Sequence, residues 1–294
     1  MKLMTMWYLK LTTSFLICAS ALAFKDLIIK YLFNQNVMFS QLFFYTGFFS
    51  LTLSVIIAKL NKHTFAISNK KYQVRRVFIV CISTSLAFLS FKLLSPTVVN
   101  IGSKITLPLM ILLSSFLVLP YAKKEKLLAG ITMIIMLIFF YQSLSIDKAS
   151  LLGISILLLS AFFMIAEYMT LSHTVKYESQ ALVCLVPSVS LILLGIIFSI
   201  IFNESLFYIS GKLITGLSIC GILYFIAYYS GVIRYKLLPP GLAEYPSLMT
   251  ILIVWPVDVL FFDGNMSFNT IIFGIFALIL LGIIIREHRK SKLK

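Results

Sequence analysis

The chain has 294 residues, 60% of them hydrophobic and only 12% charged, with a mean hydropathy of +1.02 and a net charge of +15. A water-soluble domain has no interior large enough to hide that much apolar side chain, so a soluble fold is excluded. The basic excess would suit nucleic acid, but it is concentrated in short segments beside apolar runs, where it reads as a topology signal and as attraction to anionic lipid headgroups.

Apolar runs reach the roughly 17–25 residues needed to cross a bilayer near 8–30, 38–58, 77–95, 98–120, 127–145, 149–172, 180–202, 212–233, 241–262 and 267–285. The expected fold class is therefore an all-α integral membrane protein with ten transmembrane helices. If the N-terminus is cytoplasmic, nineteen of the 25 cationic residues fall inside, including Arg75 and Arg76 in the 59–76 connection and Arg234 and Lys236 later on. That asymmetry predicts a multi-pass protein with both termini in the cytoplasm. Residues 2–23 also resemble a signal peptide ending in Ala21-Leu22-Ala23. Cleavage there would leave nine spans and discard Lys25, Asp26 and Lys30 from any helix, so retention is expected.

Lys92-Leu93-Leu94-Ser95-Pro96 returns 144 positions later as Lys236-Leu237-Leu238-Pro239-Pro240, and the same offset carries Gly130 onto Gly274. The chain thus divides into two units, 1–145 and 146–294, of five segments each. An odd number of crossings per unit turns the second copy upside-down, an arrangement found in secondary transporters.

The candidate functional residues are the polar ones inside apolar runs, since an intramembrane charge costs about 2.5–3.5 kcal/mol and normally faces a cavity or a partner. In the first span, Asp26 and Lys30 lie one helical turn apart and can pair, the alternative being that Lys25 and Lys30 snorkel to the outer interface. The fourth span carries Asn100, Ser103, Lys104 and Pro108, the sixth Glu167, and the eighth Tyr224 and Tyr228 on one face. The ninth opens on Glu244-Tyr245-Pro246, and the repeat offset places Glu244 on Asn100. Lys104 and Glu244 are expected to face a central cavity rather than lipid. Cys18, Cys81, Cys184 and Cys220 lie in different apolar runs without CxxC spacing and read as packing residues. No metal cluster, cofactor motif or phosphate-binding loop stands out, and no connection is long enough for a nucleotide-binding domain.

At this level the chain resembles the EamA branch of the drug/metabolite transporter superfamily. The stretch Phe24-Lys25-Asp26 through Lys30-Tyr31-Leu32 is similar to the end of that family's first helix. Phe88 to Pro96 followed by Pro108 resembles its third-to-fourth helix passage, and Phe261-Phe262-Asp263-Gly264 with Gly274, Gly282 and Arg286-Glu287 resembles its C-terminal pattern. The chain departs from the family in Leu119-Pro120-Tyr121-Ala122, where a Gly-Glu is usual, and in neutral Tyr45, where an arginine is common. The resemblance implies a carrier of the bacterial inner membrane that moves a small amphipathic or zwitterionic metabolite, amino-acid-like or S-adenosylmethionine-like. It further implies alternating access around a cavity lined by spans one, three, four, six, eight and nine. A lipid flippase or a non-transporting assembly subunit could share this architecture. Enzymatic activity is not expected, because the acids are dispersed over several helices. The expected partners are the metabolite and membrane lipids, with a second copy of the chain as a further candidate and no nucleic acid.

Overall fold

A computed structural model describes residues 2–62, 67, 69–113, 121–143, 148–207, 210–238, 240–244 and 246–262, and eight helical positions between 272 and 287. Among them the regular structure is all helix: α1 (Lys2–Asn34), α2 (Phe39–Leu60), α3 (Lys70–Leu93), α4 (Pro96–Ser103), α5 (Thr106–Leu112), α6 (Lys123–Ser143), α7 (Lys148–Thr174), α8 (Gln180–Phe202), α9 (Gly211–Leu237), α10 (Pro240–Ala243) and α11 (Pro246–Phe261). Among the described residues five helices are long and apolar enough to cross a membrane: Phe39–Leu60, Lys70–Leu93, Leu151–Thr174, Gln180–Phe202 and Gly211–Lys236. Helices are what such a composition requires, because hydrocarbon offers no partner to a free backbone N–H or C=O.

Polarity runs opposite to that of a soluble protein. Ile200, Phe207 and Phe261 stand at 75–77% exposure, whereas Arg76 and Asp258 are at 0% and Arg234 and Glu125 at 1%. Large apolar side chains are exposed along the helices while several charges are buried between them and most lysines are exposed, so the chain is a membrane protein built of helices. This corrects one part of the charge reading. Arg76 lies two turns inside α3 and Arg234 inside α9, and neither is a loop cation.

The stretch 98–120 is not one continuous helix; it breaks between α4 and α5 at Lys104 and Ile105. Pro108 is the cause. It has no N–H to give to the Lys104 carbonyl four residues back, and its ring crowds that carbonyl. The chain answers with tighter turns, Lys104 N–H to Ile101 O at 3.0 Å and Leu107 N–H to Lys104 O at 3.1 Å. The stretch 241–262 breaks likewise at Glu244, between α10 and α11, ahead of Pro246. A proline disfavours helical geometry in the residue before it. That residue, Tyr245, lies outside the described residues.

Helix contacts are reciprocal between the two halves of the chain. α1 packs on α9 and α7 on α3; α2 contacts α8 and α9, and α8 contacts α2 and α3; α1 meets α11 and α7 meets α4. Leu94 and Leu238, 144 apart, both end a helix in extended geometry (φ −122° and −132°), each giving its N–H to the carbonyl four residues earlier.

The tightest contact is α2 against α8. A Cβ on Gly195 would come within 2.6 Å of the Phe44 nitrogen, and one on Gly47 within 2.8 Å of the Ile192 nitrogen and the Ser188 carbonyl. Close backbone approach through small residues supplies the van der Waals contact that replaces a hydrophobic driving force in lipid. The Ser50 and Ser188 hydroxyls bond across it at 2.7 Å. Replacing Gly195 with Leu is expected to cost about 1–3 kcal/mol or more by overpacking. Gly211→Ala, where nothing lies within 4 Å, should be tolerated. Thermal unfolding of the purified protein in detergent compares the two.

Candidate functional site

Most of the residues singled out in the sequence line one cavity of about 170 Å³. By a measure in which one water occupies about 10–15 Å³, it holds a small molecule and nothing larger. Lys25 and Asp26 enter from α1, and Ser83, Thr84 and Phe88 from α3. Ser103 and Lys104 come from the α4–α5 break, and Glu167 and Tyr168 from α7. The remaining wall is Tyr224, Tyr228, Arg234 and Tyr235 of α9 with Glu244 and Ser247 at the α10–α11 break. The two broken spans thus bring a lysine from one half of the chain and a glutamate from the other to the same space.

Three polar networks hold these side chains. In the first, Lys25 Nζ pairs with Asp26 Oδ1 at 2.9 Å, Asn100 Nδ2 donates to Asp26 Oδ2 at 3.1 Å, and the Thr250 hydroxyl donates to Asn100 Oδ1 at 2.8 Å. This joins α1, α4 and α11. In the second, Arg76 Nη2 donates to the Tyr228 hydroxyl at 2.9 Å and to the Val183 carbonyl at 3.0 Å. Tyr228 in turn donates to Glu167 Oε1 at 3.2 Å, and the Ser83 hydroxyl donates to Glu167 Oε2. In the third, Tyr235 donates to Glu244 Oε1 at 2.8 Å, while Arg234 Nε donates to the Ala243 carbonyl at 2.7 Å and Nη1 to the Ser14 carbonyl at 3.4 Å. The Tyr224 and Tyr228 rings stack with centroids 6.1 Å apart, and Lys25 Nζ lies 5.9 Å from the Tyr224 centroid.

Two expectations need correction. Asp26 does not pair with Lys30. Lys30 points the other way and caps the end of α3, donating to the carbonyls of Phe91 at 3.2 Å and Leu94 at 3.1 Å, so it is not in the cavity wall. Carbonyls left free at a helix end attract a cation strongly. Asn100 is likewise behind the wall, positioning Asp26 from the side. Asp26, Lys104, Glu167, Tyr224, Tyr228 and Glu244 do line the cavity, and Tyr245 lies outside the described residues. Sequence reading missed Lys25, Arg76, Tyr168, Arg234 and Tyr235 as candidates. Arg76 carried a usable signal: Ser83 and Thr84 follow it at two helical turns on the same face.

Removing one member of a buried charge relay strands the others. Arg76→Met is therefore expected to lower stability by about 3–5 kcal/mol, and adding Glu167→Gln should restore part of that loss. A double-mutant cycle on thermal unfolding checks it; strictly additive losses would show that the relay through Tyr228 couples nothing.

No protein-family model and no curated protein matches the chain. Among solved structures 28 chains match. One of them, a protein crystal structure 13% identical to this chain, superposes with a TM-score of 0.70 over 96% of this chain and 99% of its own. At that identity the likeness concerns the fold, which is shared over nearly the whole length of both chains.

Proposed function

We propose that the chain is a secondary transporter of the EamA branch of the drug/metabolite transporter superfamily. In this reading ten spans form two inverted five-helix repeats, 1–145 and 146–294, in a bacterial inner membrane with both termini cytoplasmic. The observation that carries it is the cavity itself: a charged, tyrosine-lined space inside a lipid-facing shell, built where two broken spans meet. Helix breaks of this kind expose polar backbone in mid-membrane, which is tolerated where it lines a cavity and is characteristic of transporter binding sites. The reciprocal helix contacts and the matched chain geometry at Leu94 and Leu238 support the repeat.

The reading gives the networks a mechanical sense. Toward the outer face, Lys30 ties α1 to the end of α3, and Asp258 of α11 accepts the Thr97 N–H of α4 at 2.9 Å. Toward the cytoplasm, Arg234 ties α9 to α10 and α1. Each end has one hydrogen bond that crosses between the halves, Thr97 to Asp258 at one and Arg234 to Ser14 at the other, so rocking one half against the other opens one end while the other holds. A substrate drives this only through different affinities for the two states. A cavity of about 170 Å³ with acids, cations and aromatic faces fits a small amphipathic or zwitterionic metabolite.

Two measurements test the proposal. Sealed liposomes containing only this protein and no nucleotide should accumulate labelled metabolite from an amino-acid and nucleoside mixture by exchange or down an imposed ion gradient. Dependence on added ATP would overturn the reading, and movement of labelled lipid alone would favour a flippase. Topology is tested by fusing a periplasm-active reporter at Asn69 and a cytoplasm-active one at Lys294. The reporter at Asn69 should be silent and the one at Lys294 active; the reverse would overturn the orientation.

A further inference from the structure

Every cavity-lining acid, and every cavity-lining cation but one, has a partner in the protein. Lys25 pairs with Asp26; Glu167 takes the Ser83 and Tyr228 hydroxyls; Glu244 takes Tyr235; Arg234 binds two carbonyls. Lys104 is the exception. It is 7% exposed and lines the cavity, and its ammonium makes neither a hydrogen bond nor an ion pair with any described residue. Its place at the α4–α5 break is fixed by the backbone bonds to Ile101 and from Leu107, so the side chain enters the cavity from a defined point.

Asp26 and Glu244 attract this ammonium through space, but without a hydrogen bond or close ion pair the protein returns only part of the energy of its lost hydration. An anionic group on the cavity's occupant would return the rest. The rest of the wall limits that charge to one. Lys25 and Arg234 are already engaged, and Asp26, Glu167 and Glu244 surround the space with negative charge, so the second charge of a phosphate dianion would meet repulsion. The stacked Tyr224 and Tyr228 rings, with Phe88 and Phe91, offer flat apolar faces for the remainder. We propose that Lys104 is the anchor for the carboxylate of a small molecule with a planar or aromatic body, whether or not that molecule also carries an ammonium. That this molecule is cargo rests on the carrier reading, whereas its binding at Lys104 can be tested separately.

The test uses the full chain purified in detergent, where no transport occurs, with phenylacetate, phenylacetamide and benzylamine as probes of one shape and three charges. Saturable thermal stabilisation by phenylacetate is expected, with the amide and the amine at least about ten-fold weaker, the loss of one charged contact. Lys104→Met should abolish the effect of phenylacetate, and Lys104→Arg should retain it within about ten-fold. Equal stabilisation by the amide, no stabilisation by phenylacetate up to about 10 mM, or full binding by Lys104→Met would each overturn the assignment. The comparison of acid with amide on the unmodified protein stands even if a variant does not fold. Carboxylate binding at Lys104 in a protein that moves no solute in liposomes would support the anchor and overturn the carrier reading alone.

Discussion

Hydrocarbon cannot solvate an ion or a free peptide group, and the rest of this structure follows from that constraint. Arg76, Arg234, Asp258 and Glu125 are almost wholly buried while isoleucine and phenylalanine cover the outside. Each buried charge must then find its partners within the chain. Some of those partners lie in the same half of the chain and others in the opposite half. Arg76 of α3 reaches α8 and α9, Asp258 of α11 reaches α4, and Asn100 of α4 reaches α1 and α11. Polar satisfaction, rather than hydrophobic collapse, therefore fixes how the two halves lie against each other. Apolar packing contributes where backbones approach closely, as at Gly47 and Gly195 between α2 and α8.

The two helix breaks relate fold to candidate function. A continuous helix presents side chains to a cavity but keeps its carbonyls occupied. A span interrupted by Pro108 or ahead of Pro246 places a turn, and with it Lys104 or Glu244, at the depth of the cavity. The breaks also make the spans that carry these residues shorter and more independent than α2 or α8. On the carrier reading proposed above, the close α2–α8 contact would hold while the broken spans and their hydrogen-bonded ends rearrange.

Much of the candidate site was legible as polar residues inside apolar runs, because the energetic penalty that makes them rare also makes them conspicuous. Asp26, Lys104, Glu167 and Glu244 were visible on that ground, and Tyr224 because it is too deep for an interfacial tyrosine. Arg76 and Arg234 were not. A cation next to an apolar run counts as a loop residue in any charge tally, and only the extension of α3 back to Lys70 and of α9 on to Leu237 shows that these two are inside. Lys30 was misread for the opposite reason. Helical spacing places it on the face of Asp26, but spacing carries no information about the free carbonyls of Phe91 and Leu94 on a neighbouring helix.

The sequence by itself determined that this is a helical membrane protein, since composition and run length are one-dimensional quantities that the bilayer reads directly. It also showed which residues were too costly to face lipid, whereas the breaks at Lys104 and Glu244, inside stretches read as single spans, came only with the structure. Tertiary structure alone decided which of those residues meet. That Lys25 rather than Lys30 neutralises Asp26, that Tyr228 stands between Arg76 and Glu167, and that Lys104 enters the cavity without a hydrogen bond or ion pair to any described residue are consequences of how the helices pack. Such contacts depend on the rotation and depth of each helix against its neighbours, set by side-chain fit and hydrogen-bond satisfaction over the whole bundle.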